Sequence, residues 1–242
     1  MKPRLRDLGD TALTLELGDR VDVALNARVI AARDALGMLP GITDVVPTYC
    51  SLTVHYDPAI LSRDELAENL CRAAELTLFQ GTSVGTLAAR WQIPVLFGGE
   101  HGPDLATVAR ATGRSESSVV ETLCGAELAV FMIGFMPGFP YLGELPEGLR
   151  LPRRTTPRSD VPPHSVAIAG AQAAIYPWPS PGGWHLLGQT PLRMFDLDQP
   201  ERPALLAAGD TVRFAPIGKH EFADLAAAVD AGELPRAKFL AT

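Results

Sequence analysis

Four arginines fall within nine residues, Arg150, Arg153, Arg154 and Arg158, with Pro152 and Pro157 between them. A guanidinium is a planar fork of N–H donors that matches a carboxylate or phosphate two oxygens at a time. Proline holds the backbone and lowers the entropy lost on ordering such a fork. The segment therefore suits an anionic ligand, with Arg158 and Arg153 as the first contacts. Any one of these arginines is more often solvated surface charge; the clustering favours binding for the group. Between 131 and 195 five arginines face three acids, a local positive excess in a chain of net charge −7.

Ser180-Pro181-Gly182-Gly183-Trp184-His185 is the second candidate. Gly182 and Gly183 offer either backbone N–H groups to an anion or a tight hairpin turn, since both need the same residue type. Trp184 reads as packing. His185 could serve as a proton donor or acceptor, although a lone histidine is more often a satisfied polar residue. Gln172 and Tyr176 supply neutral hydrogen bonds to an amide or carboxylate, or are ordinary polar residues of a barrel. The stretch 135–142 is rich in aromatics and proline; Pro137, Gly138, Phe139 and Tyr141 either wall a pocket or plug a core.

Several chemistries leave no trace. There is no GxxxxGK[ST], GxGxxG, HExxH or GxSxG pattern. The five histidines show no metal-ligand spacing, and Cys50, Cys71 and Cys124 form no CxxC pair, so no metal site is expected. The acidic balance argues against nucleic acid as a partner. The longest uncharged apolar run, 128–143, is short for a membrane span and contains Pro137 and Pro140. No apolar signal segment follows the N-terminus, so a soluble cytoplasmic protein is expected.

The elements that must hold these residues divide in two. With 242 residues and 47% hydrophobic composition, the chain suits one large or two small domains with real cores. Alternation at 13–17, 42–46 and 52–56 predicts strands, and helical spacing predicts helices from Leu25 to a stop at Gly37 and behind the capping box Ser62-Arg63-Asp64-Glu65. A last strand at 76–79 would complete the β-α-β-β-α-β, ferredoxin-like order. A linker is expected at 80–86. Next come a strand at 91–97 and helices at 104–112 and 116–123, the second capped by Ser115. Residues 131–195 hold eleven of the 21 prolines and eight of the 22 glycines, a density that forbids long helices. Apolar bursts at 166–169, 173–176, 184–187, 192–195 and 211–214 predict short strands of a barrel or sandwich.

The motifs, taken together, resemble a known family. Phe97-Gly98-Gly99-Glu100-His101-Gly102-Pro103-Asp104-Leu105, Gly134-Phe135-Met136-Pro137-Gly138-Phe139-Pro140-Tyr141-Leu142-Gly143, Pro152-Arg153 with Pro157-Arg158, and Ser180-Pro181-Gly182-Gly183-Trp184 are similar to those of the family of B-type 5-oxoprolinase subunits, also called allophanate hydrolase subunit 1 or Kip-inhibitor. The likeness runs along essentially the whole chain. It implies an α+β fold: a small ferredoxin-like α/β domain, 1–82, and a cyclophilin-like β-barrel domain, 83–242. A related pair of domains forms the carboxyltransferase part of urea carboxylase.

The resemblance further implies one component of an enzyme that opens 5-oxoproline to L-glutamate at the expense of ATP, with Mg2+. Its partners would be a C-type subunit (allophanate hydrolase subunit 2 family) and an A-type subunit (LamB/YcsF family), with nucleotide binding shared with or lying largely on them. Arg158 and His185 become the catalytic candidates, His185 as proton shuttle. Arg153, Gln172, Tyr176, Gly182, Gly183 and Thr190 would bind the substrate or its anionic groups, behind a wall of Pro137, Gly138, Phe139, Tyr141 and Trp184. The chain departs from the family pattern at Pro162-Pro163-His164-Ser165 (usually Pro-Ala-Gly-Ser), at Gly188-Gln189-Thr190-Pro191 (usually Gly-Arg-Thr-Pro) and at Gln172-Ala173-Ala174 (usually Gln-Thr-Gly). Two alternatives stand beside this reading. One is a Kip-inhibitor-like protein that binds a sensor histidine kinase. The other is a carboxyltransferase or allophanate-hydrolase-like subunit, which would need a biotin-carrying partner.

Overall fold

A computed structural model describes residues 3–37, 39–79 and 88–241. The chain forms two compact units, residues 1–88 and 89–242, each with its own apolar core.

The first unit runs β1 (Arg4–Asp7), β2 (Ala12–Glu16), α1 (Val23–Leu36), β3 (Ile42–Pro47), β4 (Ser51–Tyr56) and α2 (Arg63–Phe79). Its antiparallel sheet has the order β1-β2-β4-β3. Period-2 alternation buries Leu13 and Leu15 of β2 and Leu52 and Val54 of β4. Against them pack Val29 and Ala32 of α1 and Leu66 and Leu70 of α2. Helix α2 starts at the expected capping box, and α1 starts at Val23, two residues before the expected Leu25. Asp22 accepts from the Leu25 N–H at 2.8 Å. In the capping box the Ser62 N–H donates to Glu65 Oε2 at 3.0 Å and the Glu65 N–H to Ser62 Oγ at 3.3 Å.

The expected strand at 76–79 is instead the last turn of α2. No breaker separates it from the helix, the Thr77 hydroxyl bonds back to the Ala74 carbonyl at 2.7 Å, and Thr77 stays on the buried face. The edge beside β2 is filled by β1, whose single apolar residue, Leu5, left no alternation to read. The element order is therefore β-β-α-β-β-α, with β4 lying between β2 and β3. The expected linker at 80–86 and the expected boundary at 82/83 lie outside the described residues.

The second unit contains β5 (Arg90–Phe97), α3 (Leu105–Thr112), α4 (Glu116–Gly125), β6 (Leu128–Ile133), β7 (Pro140–Gly143), β8 (Arg158–Val161), β9 (Ser165–Ala169), β10 (Gln172–Ile175), β11 (Ser180–Gly182), β12 (His185–Gln189), β13 (Thr211–Pro216) and α5 (Lys219–Asp230). Seven strands close a barrel in the order β10-β7-β6-β13-β5-β12-β9, with β9 pairing back onto β10; β8 and β11 form a separate ribbon. The expected α+β class with a barrel in the second unit is what the chain adopts. Ser115 caps α4 as expected, accepting from the Ser118 N–H at 3.1 Å.

The expected strand at 192–195 does not form. The Leu192 N–H is taken by the Thr190 hydroxyl at 3.3 Å, and only Phe195 makes an isolated bridge, to Ala204. Strands β6, β7, β8 and β11 and helix α5 had no clear sequence signal: β8 and β11 are too short for a period, and α5 buries no residue fully.

Alternation along β9 and β10 builds two packed layers. Val166, Ile168, Ala173 and Ile175 enter the large core. Their neighbours Ala167, Ala169, Ala174 and Tyr176 enter a second, aromatic cluster with Phe139, Trp184 and Leu186.

Candidate functional site

The site is organised by an acid. Asp104 stands at the N-terminus of α3, its side chain 5% exposed. Arg158 Nη1 and Nη2 donate to its two oxygens at 2.8 Å each, Arg154 Nη1 donates at 2.8 Å, and so does the Leu186 N–H. Burial pushes the Asp104 carboxyl up, but the Arg158 and Leu186 hydrogen bonds and the two guanidinium charges outweigh it and hold it below its ordinary value. The acid thus ties the 152–158 segment to α3 and to β12. Close backbone approach makes this possible: a Cβ on Gly102 would lie 1.9 Å from the Leu187 carbonyl oxygen.

Two arginines are held by this clamp, and Arg153 is not. It is exposed, and its Cζ lies 5.7 Å from the Trp184 ring centroid. Beside it opens a pocket of about 360 Å3 lined by Pro152, Arg153, Arg154, Thr155, Thr156 and His185, together with Leu151 and Ala111. His185 Nε2 lies 3.0 Å from the Pro152 carbonyl. A carbonyl only accepts, so Nε2 carries the hydrogen. Nδ1 is buried with no hydrogen-bond partner among the described residues.

Trp184 links this pocket to the aromatic layer. Phe139 meets Tyr141, Tyr176 and Trp184 at centroid distances of 4.9, 5.1 and 6.3 Å. Burial pushes the Tyr176 phenol up to about 12, against the opposing pull of Arg153, and burial raises Tyr141 as well. Both are neutral hydroxyls at physiological pH. The Gln172 Nε2 and Ser180 Oγ atoms are buried without a partner among the described residues. Each is paired in register with a residue of this layer, Gln172 with Ala169 and Ser180 with Val161.

The structure brings Arg153 and His185 into one pocket and Phe139, Tyr141, Tyr176 and Trp184 into the adjoining layer. Arg158 lies behind it on Asp104. Gly182 and Gly183 do not take positive φ, so they form no αR–αL anion nest. Gly182 instead makes room for Tyr176, whose Oη would be 2.4 Å from a Cβ there, and the Gly183 carbonyl accepts from the Arg154 N–H at 2.8 Å. Thr190 is 1% exposed, and its hydroxyl serves Leu192 at the other end of β12. Gly138 packs on Met194 and Phe195, while Pro137 is exposed; neither lines the pocket. Asp104 is the residue that sequence reasoning passed over, because it read as the start of a helix. The signal that could have found it was its place in the 97–105 motif, in a chain whose arginine cluster calls for a carboxylate.

Two of the departures from the family pattern meet in space. Gln189 Nε2 donates to the Pro163 carbonyl at 2.7 Å, which leaves Oε1 to accept from His101 Nδ1 at 2.6 Å. His164 takes φ 64, where glycine is the usual residue.

Residues 3–206 match the family described as the carboxyltransferase domain, subdomain C and D. The chain belongs to that family. It is 42% identical over 210 residues to a protein of Escherichia coli O157:H7 named as the B-type subunit of 5-oxoprolinase, covering 86% of this chain and 94% of that one. It is 35% identical over 235 residues to the Bacillus subtilis (strain 168) protein of the same name, covering 90% and 95%. The crystal structure of TTHA0988 superposes with a TM-score of 0.74 at 38% identity, over 89% of this chain but only 40% of that longer chain.

The donor set of the pocket fits a carboxylate or a single phosphoryl group. Among the described residues no group of three or more His, Cys, Asp or Glu is placed to hold a metal ion, and no helix is long and apolar enough to cross a membrane.

Proposed function

We propose that this chain is the B-type subunit of an ATP-dependent 5-oxoprolinase, working with C-type and A-type partner subunits to open 5-oxoproline to L-glutamate. The observation that carries the reading is the unclamped Arg153, seated over Trp184 at the mouth of a cationic pocket. The names of the two curated relatives support it.

5-Oxoproline is a lactam bearing a carboxylate. Arg153 holds the carboxylate, with Arg154 as the second cation of the pocket. Asp104 keeps Arg154 and Arg158 fixed, so that little reorganisation is needed as negative charge develops. Tyr141, Tyr176 and Gln172 are neutral donors suited to the lactam amide. His185 holds Pro152, and through it the arginine segment, in place. ATP, with Mg2+ and bound largely by the partners, supplies the phosphoryl group that makes the lactam carbonyl electrophilic. Water then adds at that carbon, the C–N bond breaks, and the amine nitrogen takes a proton. A second water releases phosphate and leaves glutamate.

The test is 5-oxoproline-dependent ATP hydrolysis, with glutamate measured in parallel, for the chain alone and co-purified with both partners. Turnover only in the assembled complex is expected. An intact complex that makes no glutamate overturns the reading.

A further inference from the structure

A second pocket, of about 310 Å3, is enclosed by the segment after β12, the end of α5 and the C-terminal turn Arg236–Phe239. None of the residues discussed above as binding or catalytic lines it. Its floor is apolar: Leu205, Val229, Leu234 and Phe239. Its polar groups are out of balance in a specific way. Arg193 is already neutralised by Asp230 at 2.9 Å. Arg236 is not: Nη1 donates to the Arg202 carbonyl and Nη2 to the Pro203 carbonyl at 3.1 Å, and no carboxylate lies within 4.0 Å of it among the described residues. Asp196, half-buried on the same wall, likewise forms no ion pair there; one of its oxygens accepts from the Asp198 N–H at 3.0 Å.

A partly buried ion without a counter-ion is costly, and a ligand that supplies the missing charge recovers that cost. Burial lowers the Arg236 pKa; the charge of Asp196, beyond ion-pair distance, offsets this only in part, and the nearby Arg202 adds to the lowering. A simple anion would relieve Arg236 but meet Asp196. A cation would do the reverse. One small molecule that carries both charges satisfies Arg236, Asp196 and the apolar lining together.

We propose that this pocket binds a free α-amino acid with an apolar side chain, its carboxylate on Arg236, its ammonium toward Asp196 and its side chain on the Leu205–Val229–Leu234–Phe239 floor. The volume lies at the small end of ligand pockets and suits one amino acid rather than a nucleotide. The site stands whether or not the chain is an oxoprolinase component.

Calorimetry on the full chain tests this with L-leucine and L-phenylalanine as probes and N-acetyl-L-leucine and L-leucinamide as controls. Saturable binding of at least one free amino acid is expected, weakened about tenfold or more when either charge is blocked. Asp196→Asn keeps the acceptor for the Asp198 N–H but removes the charge, and is expected to cost a similar factor. Val229→Trp fills the pocket and is expected to abolish binding while the melting temperature stays near that of the wild type. Should either variant misfold, the blocked ligands on the wild-type chain carry the test. No saturable binding of either amino acid up to about 10 mM, far above the range of useful sites, overturns the proposal. So does equal affinity for N-acetyl-L-leucine or L-leucinamide, or unchanged affinity in a folded Val229→Trp variant.

Discussion

Asp104 and Arg153 sit close in the fold but should fail in different ways when changed. Replacing Asp104 by alanine strands two guanidinium groups whose shared partner was 5% exposed. Breaking one side of a buried ion pair costs about 3–5 kcal/mol, so Asp104→Ala should lower the urea midpoint sharply. Arg158→Ala should behave similarly, because it leaves the buried carboxylate with half its donors. Arg153→Ala removes only an exposed cation–π contact. Its stability should stay within about 1 kcal/mol of the wild type. Its kcat/KM for 5-oxoproline in the assembled enzyme should nevertheless fall about ten- to hundredfold, as expected for losing a charged hydrogen bond to substrate. Thermal melts and kinetics on the same preparations separate the two classes. A pH series adds a sign. The Asp104 carboxyl is held below its ordinary 3.8 in the folded chain, so unfolding takes up a proton in that range. Its stabilisation is complete above 3.8 and is lost as pH falls through and below that value. Asp104→Asn should therefore lose less stability than the wild type between about pH 5 and pH 3.

At the scale of the element, close backbone approaches and helix caps decide where the site residues end up. β12 touches the loop between β5 and α3 through backbone: the Asp104 N–H donates to the Leu186 carbonyl at 3.0 Å and the Gly98 N–H to the Leu187 carbonyl at 3.0 Å. Gly102→Ala puts a methyl group into that contact and should prevent stable folding. Gly182→Ala meets side chains and no backbone, the Tyr176 phenol and the Val161 methyl, and should cost about 1–3 kcal/mol. Comparing expression and melting temperature of the two variants checks the ranking. In the first unit, Ser62→Ala removes the hydroxyl that joins both sides of the α2 capping box and should cost about 1 kcal/mol in the urea midpoint.

At the scale of the whole molecule, the two units have separate cores, and all seven strands of the closed barrel lie between Arg90 and Pro216. A chain of residues 89–242 should therefore fold alone and melt in one cooperative transition, measured by circular dichroism with near-UV signal from its three tryptophans.

What local chemistry controls was legible along the chain. The caps at Ser62 and Ser115, the paired alternation of β2 and β4, and the proline- and glycine-dense barrel region follow from spacing that neighbouring residues enforce. The arginine cluster was legible as an anion-seeking segment for the same reason. Its internal division was not. Arg153, Arg154 and Arg158 differ only in which of them meets Asp104, a residue about fifty positions earlier, and no local pattern encodes that meeting. The same holds for β1, which is a strand because the edge of β2 is open to it, and for 76–79, where an uninterrupted helix overrode β-prone residues. Long-range pairing decides such cases, because its energy lies in contacts between segments and not in the residues of either one.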